Sequence, residues 1–186
     1  MEIQTCRINK FLRNASLFVC LLSCILLFVT SCRNRCVRSD LENFIGSKII
    51  MPDSFCIDTT AHINLIVYYA PENCVSCKIK SLYRWDELLL IADSLPDFNI
   101  SFIFQTNALQ NHDIKSLDYP IILDSVVDFI GLNPAIPADS RYHTFLLDRD
   151  NRVVLVGNPL ASDTMWSLFR RTLDNMLAND GVYVSK

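Results

Sequence analysis

Two cysteines stand where the sequence changes from a strand pattern to a helix pattern. Residues 63–69 are rich in β-branched and aromatic side chains and have the length of a buried strand. From residue 75 to residue 94 apolar side chains recur at helical spacing, and Pro96 ends that pattern. Cys74 and Cys77 therefore form a C-x-x-C motif at the junction of a predicted strand and helix.

This position suits the motif to thiol–disulfide chemistry. Unpaired backbone N–H groups and the helix dipole favour the thiolate of a cysteine at a helix N-terminus. A second cysteine one turn further on can attack a mixed disulfide and release the bound partner. We therefore predict that Cys74 is the nucleophile and that Cys77 is the resolving thiol.

A zinc site and an inert structural disulfide are the alternatives for this pair. Zinc would need two more ligands at a similar spacing, and the remaining candidates form no second pair; they are Cys36, Cys56, His62, His112 and His143. No metal or other cofactor is therefore expected. Cys36 and Cys56 could form a disulfide with each other, but connectivity does not follow from sequence alone.

The first 31 residues have the pattern of a secretory signal peptide. Three basic residues precede residues 17–29, which are apolar except for Ser23. This run is shorter than the roughly 18–20 residues that span a bilayer. It ends in Val-Thr-Ser-Cys, which resembles a bacterial lipobox and predicts lipidation of Cys32. An ordinary cleavage site with an incidental cysteine is the alternative.

The predicted organisation is therefore a signal peptide at residues 1–31, a lipidated tether at 32–42 and one domain at 43–186. Within the domain, further strands are expected at residues 99–105, 120–123, 143–147 and 152–156. Helices are expected at residues 107–116, at 124–130 with Gly131 ending the helix, and after a cap at Ser162. The alternation predicts an α/β fold with a central mixed β-sheet and helices on both faces.

Composition limits the class of protein. Hydrophobic residues make up 51% of the 186 residues, which excludes a disordered chain. The chain has 17 Lys and Arg against 20 Asp and Glu, so it offers no general basic surface for phosphates. No nucleic-acid partner is expected.

Several segments resemble thioredoxin-fold proteins. Residues 68–78 are similar to the strand, turn and active-site helix of that superfamily, and residues 119–124 and 144–154 resemble its TlpA-like and peroxiredoxin-like branch. The whole is similar to thioredoxin-like lipoproteins of Bacteroides-type bacteria. The resemblance implies a thioredoxin-like fold and a lipid-anchored oxidoreductase that faces the periplasm. Its partners would be envelope proteins with disulfides or thiols, and a membrane thiol donor that re-reduces it.

Three positions depart from the thioredoxin pattern. Asn73 stands where thioredoxins usually have Trp, Tyr68 replaces the buried Asp, and His143 replaces the cis-Pro that faces the thiols. Because a cis bond before a residue other than Pro costs about 3–4 kcal/mol, the peptide bond between residues 142 and 143 is expected to be trans. His143 could stabilise the Cys74 thiolate or relay a proton, or it could be a half-exposed loop residue.

Other functions remain open on this fold. A peroxidase of the peroxiredoxin type is disfavoured. Sites of that type have a Thr or Ser three residues before the reactive cysteine, and this chain has Pro71 there. A copper chaperone similar to the Sco group would use Cys74, Cys77 and His143, although that group spaces its thiols C-x-x-x-C. A non-catalytic binding lipoprotein that kept the fold is the third alternative.

Overall fold

Five strands form one mixed sheet in the computed structural model, which describes residues 39–52, 55, 61–71, 75–105, 119–124 and 129–185. The strands are β1 (Ile63–Tyr69), β2 (Phe98–Gln105), β3 (Ile121–Asp124), β4 (Thr144–Leu147) and β5 (Val153–Val156). Their order is β3-β2-β1-β4-β5. β1, β2 and β3 are parallel, and β4 is antiparallel to both β1 and β5. All five predicted strands are confirmed to within one residue at each end.

The helices are α1 (Val75–Lys80), α2 (Asp86–Ser94), α3 (Phe129–Leu132) and α4 (Asp163–Leu177). Three short 3-10 helices lie at Leu82–Trp85, Ser140–Tyr142 and Pro159–Ala161, and residues 39–44 are also helical. The segment from β1 to β2 is a β-α-β unit, and the later segment from β4 to α4 is a β-β-α unit. This arrangement confirms the predicted α/β fold with a mixed sheet, and it is the thioredoxin-like fold that the resemblance implies.

The expectation of one continuous helix over residues 75–94 is wrong, because the helix breaks at Ser81. The backbone N–H of Ser81 donates to the Lys78 carbonyl at 3.0 Å, and the Ser81 hydroxyl donates to the same oxygen at 2.8 Å. These bonds tighten the last turn of α1, and the chain continues as the 3-10 helix. Leu82 and Trp85 from that short helix are both buried in the core.

The short helix predicted at residues 124–130 also differs from the structure. Asp124 ends β3, and its carboxylate accepts a hydrogen bond from the Phe129 N–H at 2.8 Å. Gly131 lies inside α3 and does not end it. The side chain of Asn133, just past the helix, donates to the Phe129 carbonyl at 2.9 Å and satisfies one of its last acceptors. Residues 125–128 and the helix predicted at 107–116 lie outside the described residues.

The core lies on both faces of the sheet because successive side chains of β1 point in opposite directions. Leu65 and Val67 pack with residues of α2 and α4, whereas Ile66 packs on the other face with Phe44 and with Phe129 of α3. Helices therefore cover both faces, as predicted. The predicted cap of α4 is also present, since the Ser162 hydroxyl accepts a hydrogen bond from the Met165 N–H at 3.2 Å.

Asn43–Lys186 forms one unit by its internal contacts. None of the helices in the described residues combines the length and the hydrophobicity needed to cross a bilayer. The predicted signal peptide and Cys32 lie outside those residues.

Candidate redox site

Cys77 lies in the first turn of α1, directly after the connection from β1. Its side chain is exposed, and its sulfur forms a disulfide. The partner sulfur lies outside the described residues, because these contain no second cysteine. Cys74, the partner that the sequence predicts, belongs to the part of the chain outside that description.

His143 is buried, with only 5% of its surface exposed, so the alternative of a half-exposed loop residue is wrong. Its Nε2 lies 2.9 Å from the Pro137 carbonyl oxygen. A carbonyl oxygen only accepts hydrogen bonds, so Nε2 must be the donor. In a neutral imidazole the proton is therefore on Nε2, and Nδ1 carries a lone pair. Nδ1 is buried and has no hydrogen-bond partner among the described residues.

The loop that carries His143 is attached to the end of β1. The ring of His143 packs edge-on against Tyr68, with the ring centroids 5.2 Å apart, and the Tyr68 N–H donates to the His143 carbonyl at 2.8 Å. No peptide bond among the described residues is cis, so the bond between Tyr142 and His143 is trans, as predicted. Whether the imidazole acts on Cys74 stays a prediction, since Cys74 lies outside the described residues.

Tyr68 occupies the position where the resemblance implies a buried Asp. It is 3% exposed, and its hydroxyl donates to the side-chain oxygen of Gln105 on the neighbouring strand. An aromatic hydroxyl therefore takes the place of a carboxylate beside the loop of His143.

Tyr69 points to the opposite face of the sheet and is half-buried. Burial raises the pKa of its phenol to about 12. A side-chain hydrogen bond with Trp85 lowers this pKa, but by less than burial raises it. Tyr69 is consequently neutral near pH 7. The Lys78 ammonium lies 5.7 Å from the centre of the Tyr69 ring, which is within reach of a cation–π interaction.

A groove of about 490 Å³ opens beside α1, and we call it the Tyr69 groove. Its lining comes from four separate parts of the chain: the end of β1, α1 with the following 3-10 helix, the loop before β4, and the segment from β5 into α4. Lys78, Arg84 and Arg141 all line it. No local pattern in the sequence indicates this groove, because residues about 70 positions apart meet only in the folded chain.

Gly157 shapes one side of the Tyr69 groove. Its φ of 127° lies in a region that side-chain-bearing residues rarely adopt. A Cβ at this position would lie 2.8 Å from the Cε of Met165. The glycine therefore permits both the backbone turn and the close approach of α4.

Within the described residues, no group of three or more His, Cys, Asp or Glu side chains is arranged to hold a metal ion.

Comparison with known proteins gives similarities of structure. No protein-family model and no curated protein sequence matches the chain. A proposed protein disulfide isomerase from Bacteroides thetaiotaomicron is 16% identical, with a TM-score of 0.45 over 64% of this chain and 76% of that one. A proposed thiol:disulfide interchange protein DsbE from Chlorobium tepidum is 14% identical, with a TM-score of 0.45 over 63% of this chain and 82% of that one. Peroxiredoxin Q from Xanthomonas campestris is 17% identical, with a TM-score of 0.43 over 70% of this chain and 97% of that one.

Proposed function

We propose that this protein is a thiol–disulfide oxidoreductase that acts through Cys74 and Cys77. The observation that carries the proposal is Cys77 itself, which is exposed, disulfide-bonded and located in the first turn of the helix after β1. Exposed disulfides are commonly the labile or catalytic ones, whereas structural disulfides resist reduction. An exchange reaction therefore accounts for this cysteine better than an inert crosslink does.

In the proposed reaction the Cys74 thiolate attacks one sulfur of a substrate disulfide. The substrate S–S bond breaks, one substrate sulfur leaves as a thiolate and is protonated, and the other remains bound to Cys74 Sγ. Cys77, after losing its proton, attacks Cys74 Sγ, which closes the intramolecular disulfide and releases the second substrate sulfur as a thiol. Two electrons pass from the protein to the substrate, and a membrane thiol donor would restore the two protein thiols.

We further propose that the domain is held at the membrane by a lipid on Cys32 and faces the periplasm. The basic residues, the apolar run and the lipobox-like end of residues 1–32 support this location. Disulfides persist in the periplasm because it is an oxidising compartment. Envelope proteins with disulfides or thiols are therefore the proposed substrates.

The two cysteines have different roles in this reaction, and trapping distinguishes them. Cys77→Ser should accumulate mixed disulfides with envelope proteins, because Cys74 can still attack but nothing resolves the product. Cys74→Ser, the matched control with one thiol left, should trap none. The measurement is non-reducing electrophoresis of the affinity-purified variants, followed by release of the partners with a reductant. Equal trapping by the two variants, or by neither, would refute the mechanism and favour a non-catalytic binding protein.

A further inference from the structure

The Tyr69 groove carries a charge opposite to that of the domain around it. Residues 43–186 contain 11 Lys and Arg against 17 Asp and Glu. Among the described residues that line the groove, three are basic and none is acidic; the basic ones are Lys78, Arg84 and Arg141. A basic groove on an acidic domain indicates a specific use, because random placement would favour acidic walls.

Two of these three cations form no ion pair with another described residue. Arg141 is paired with Asp139, with 2.6 Å between Nη2 and Oδ2. Neither Lys78 nor Arg84 forms an ion pair with any carboxylate in the described part of the chain. Lys78 instead lies above the uncharged ring of Tyr69, which leaves its charge available to a ligand.

The rest of the lining suits a peptide. The half-buried ring of Tyr69 gives the groove aromatic surface, and Ser81, Ser140 and Asn158 supply hydrogen-bonding side chains. Lys78 directly follows Cys77 in α1 and lines the groove beside this helix, so the groove and the exposed disulfide belong to the same short helix.

We propose that the Tyr69 groove selects protein substrates in which an acidic side chain lies close to the cysteine that exchanges, with Lys78 and Arg84 as its partners. This inference rests on the proposed oxidoreductase function and specifies its substrate class. Lys78 and Arg84 act here as specificity residues. They would bring acidic disulfide segments to the thiols faster than neutral ones, through electrostatic complementarity.

The test compares two peptides that differ only in charge. Each carries one cysteine as a mixed disulfide with an uncharged thiol, flanked either by Glu or by Gln, and reacts with the reduced full-length protein in detergent. An exposed ion pair changes affinity about two- to threefold, so two pairs should make the Glu peptide react about fivefold faster at low ionic strength. Because salt screens charges beyond roughly 10 Å at 0.1 M, the ratio should fall as salt is added.

Variants assign the effect to the groove. Lys78→Gln with Arg84→Gln should bring the ratio of the Glu and Gln rates close to one. The ratio cancels any change in thiol reactivity that the loss of Lys78 causes, since both peptides meet the same thiol. Lys80→Gln is the matched control, because Lys80 is an exposed residue of the same helix that does not line the groove. It should keep the fivefold ratio.

The two peptides separate the charge preference of the groove from the exchange activity of the thiols. Equal rates for the two peptides, or a ratio that Lys80→Gln lowers as much as the double variant does, would overturn the inference and leave the oxidoreductase intact. If neither peptide exchanges, the oxidoreductase proposal fails. The same peptides with Ser in place of Cys then report groove binding by fluorescence polarisation, where equal affinities would overturn the acidic preference as well.

Discussion

Replacement of His143 by Ala tests how the loop before β4 is supported. The substitution removes the hydrogen bond between Nε2 and the Pro137 carbonyl, and it removes the edge contact with Tyr68. Pro137 is buried, so its carbonyl loses a partner that water does not readily replace.

The magnitude follows from three contributions. Emptying a buried space the size of an imidazole ring costs about 2–3 kcal/mol, and the lost hydrogen bond costs about 1 kcal/mol more. Removal of Nδ1, which is buried and has no partner in the part of the chain that the structure describes, returns about 1 kcal/mol. We therefore expect His143→Ala to lower the free energy of unfolding by about 2–3 kcal/mol.

The assay is urea unfolding of the oxidised protein, monitored by circular dichroism. His143→Leu is the matched control, since it fills most of the space and carries no buried polar nitrogen, and it should cost less than His143→Ala. A free energy of unfolding for His143→Ala within about 0.5 kcal/mol of the wild type would refute the argument, because that range is typical of surface sites.

The same variants test whether His143 also acts on the thiol. In a Cys77→Ser background only one active-site thiol remains, and its alkylation by iodoacetamide is followed against pH. If the imidazole favours the Cys74 thiolate, both His143→Ala and His143→Leu should slow alkylation at mildly acidic pH. Superimposable curves would assign His143 a supporting role in the loop only.

Two further outcomes are expected. Cys32→Ala should abolish palmitate labelling and release the protein from membranes, and persistent labelling would refute the anchor. Because burial raises the pKa of Tyr69 to about 12, the unfolded chain releases this proton at lower pH than the folded one, so stability should fall between about pH 10 and 12. Tyr69→Phe should lessen that fall in urea titrations at several pH values, and an unchanged fall would show that other groups cause it.

The sequence alone predicted the parts of the fold that depend on local periodicity. A strand that is buried on both faces leaves a continuous apolar run, and residues 63–69 were located on that basis. The cap at Ser162 could also be predicted from local sequence. Its hydroxyl accepts a hydrogen bond from the N–H of Met165, only three residues further on. The C-x-x-C motif belongs to the same class, since its spacing is local, although its pairing stays a prediction.

The break at Ser81 shows where periodicity fails. Leu82 and Trp85 keep the spacing of a helix and are buried, so the apolar pattern runs through the break without a change. The helix breaks because the hydroxyl of Ser81 donates a hydrogen bond to the carbonyl of Lys78. Serine makes this bond only in some helices, so the sequence does not predict the break.

Tertiary structure alone decided the environment of His143 and the charge of the Tyr69 groove. His143 is buried because its loop packs against Tyr68, 75 positions earlier in the chain. Lys78, Arg84 and Arg141 become one basic surface only when β1, α1 and the loop before β4 meet. Net charge is a sum over the whole chain and carries no information on position, so an acidic sequence can still fold around a basic groove.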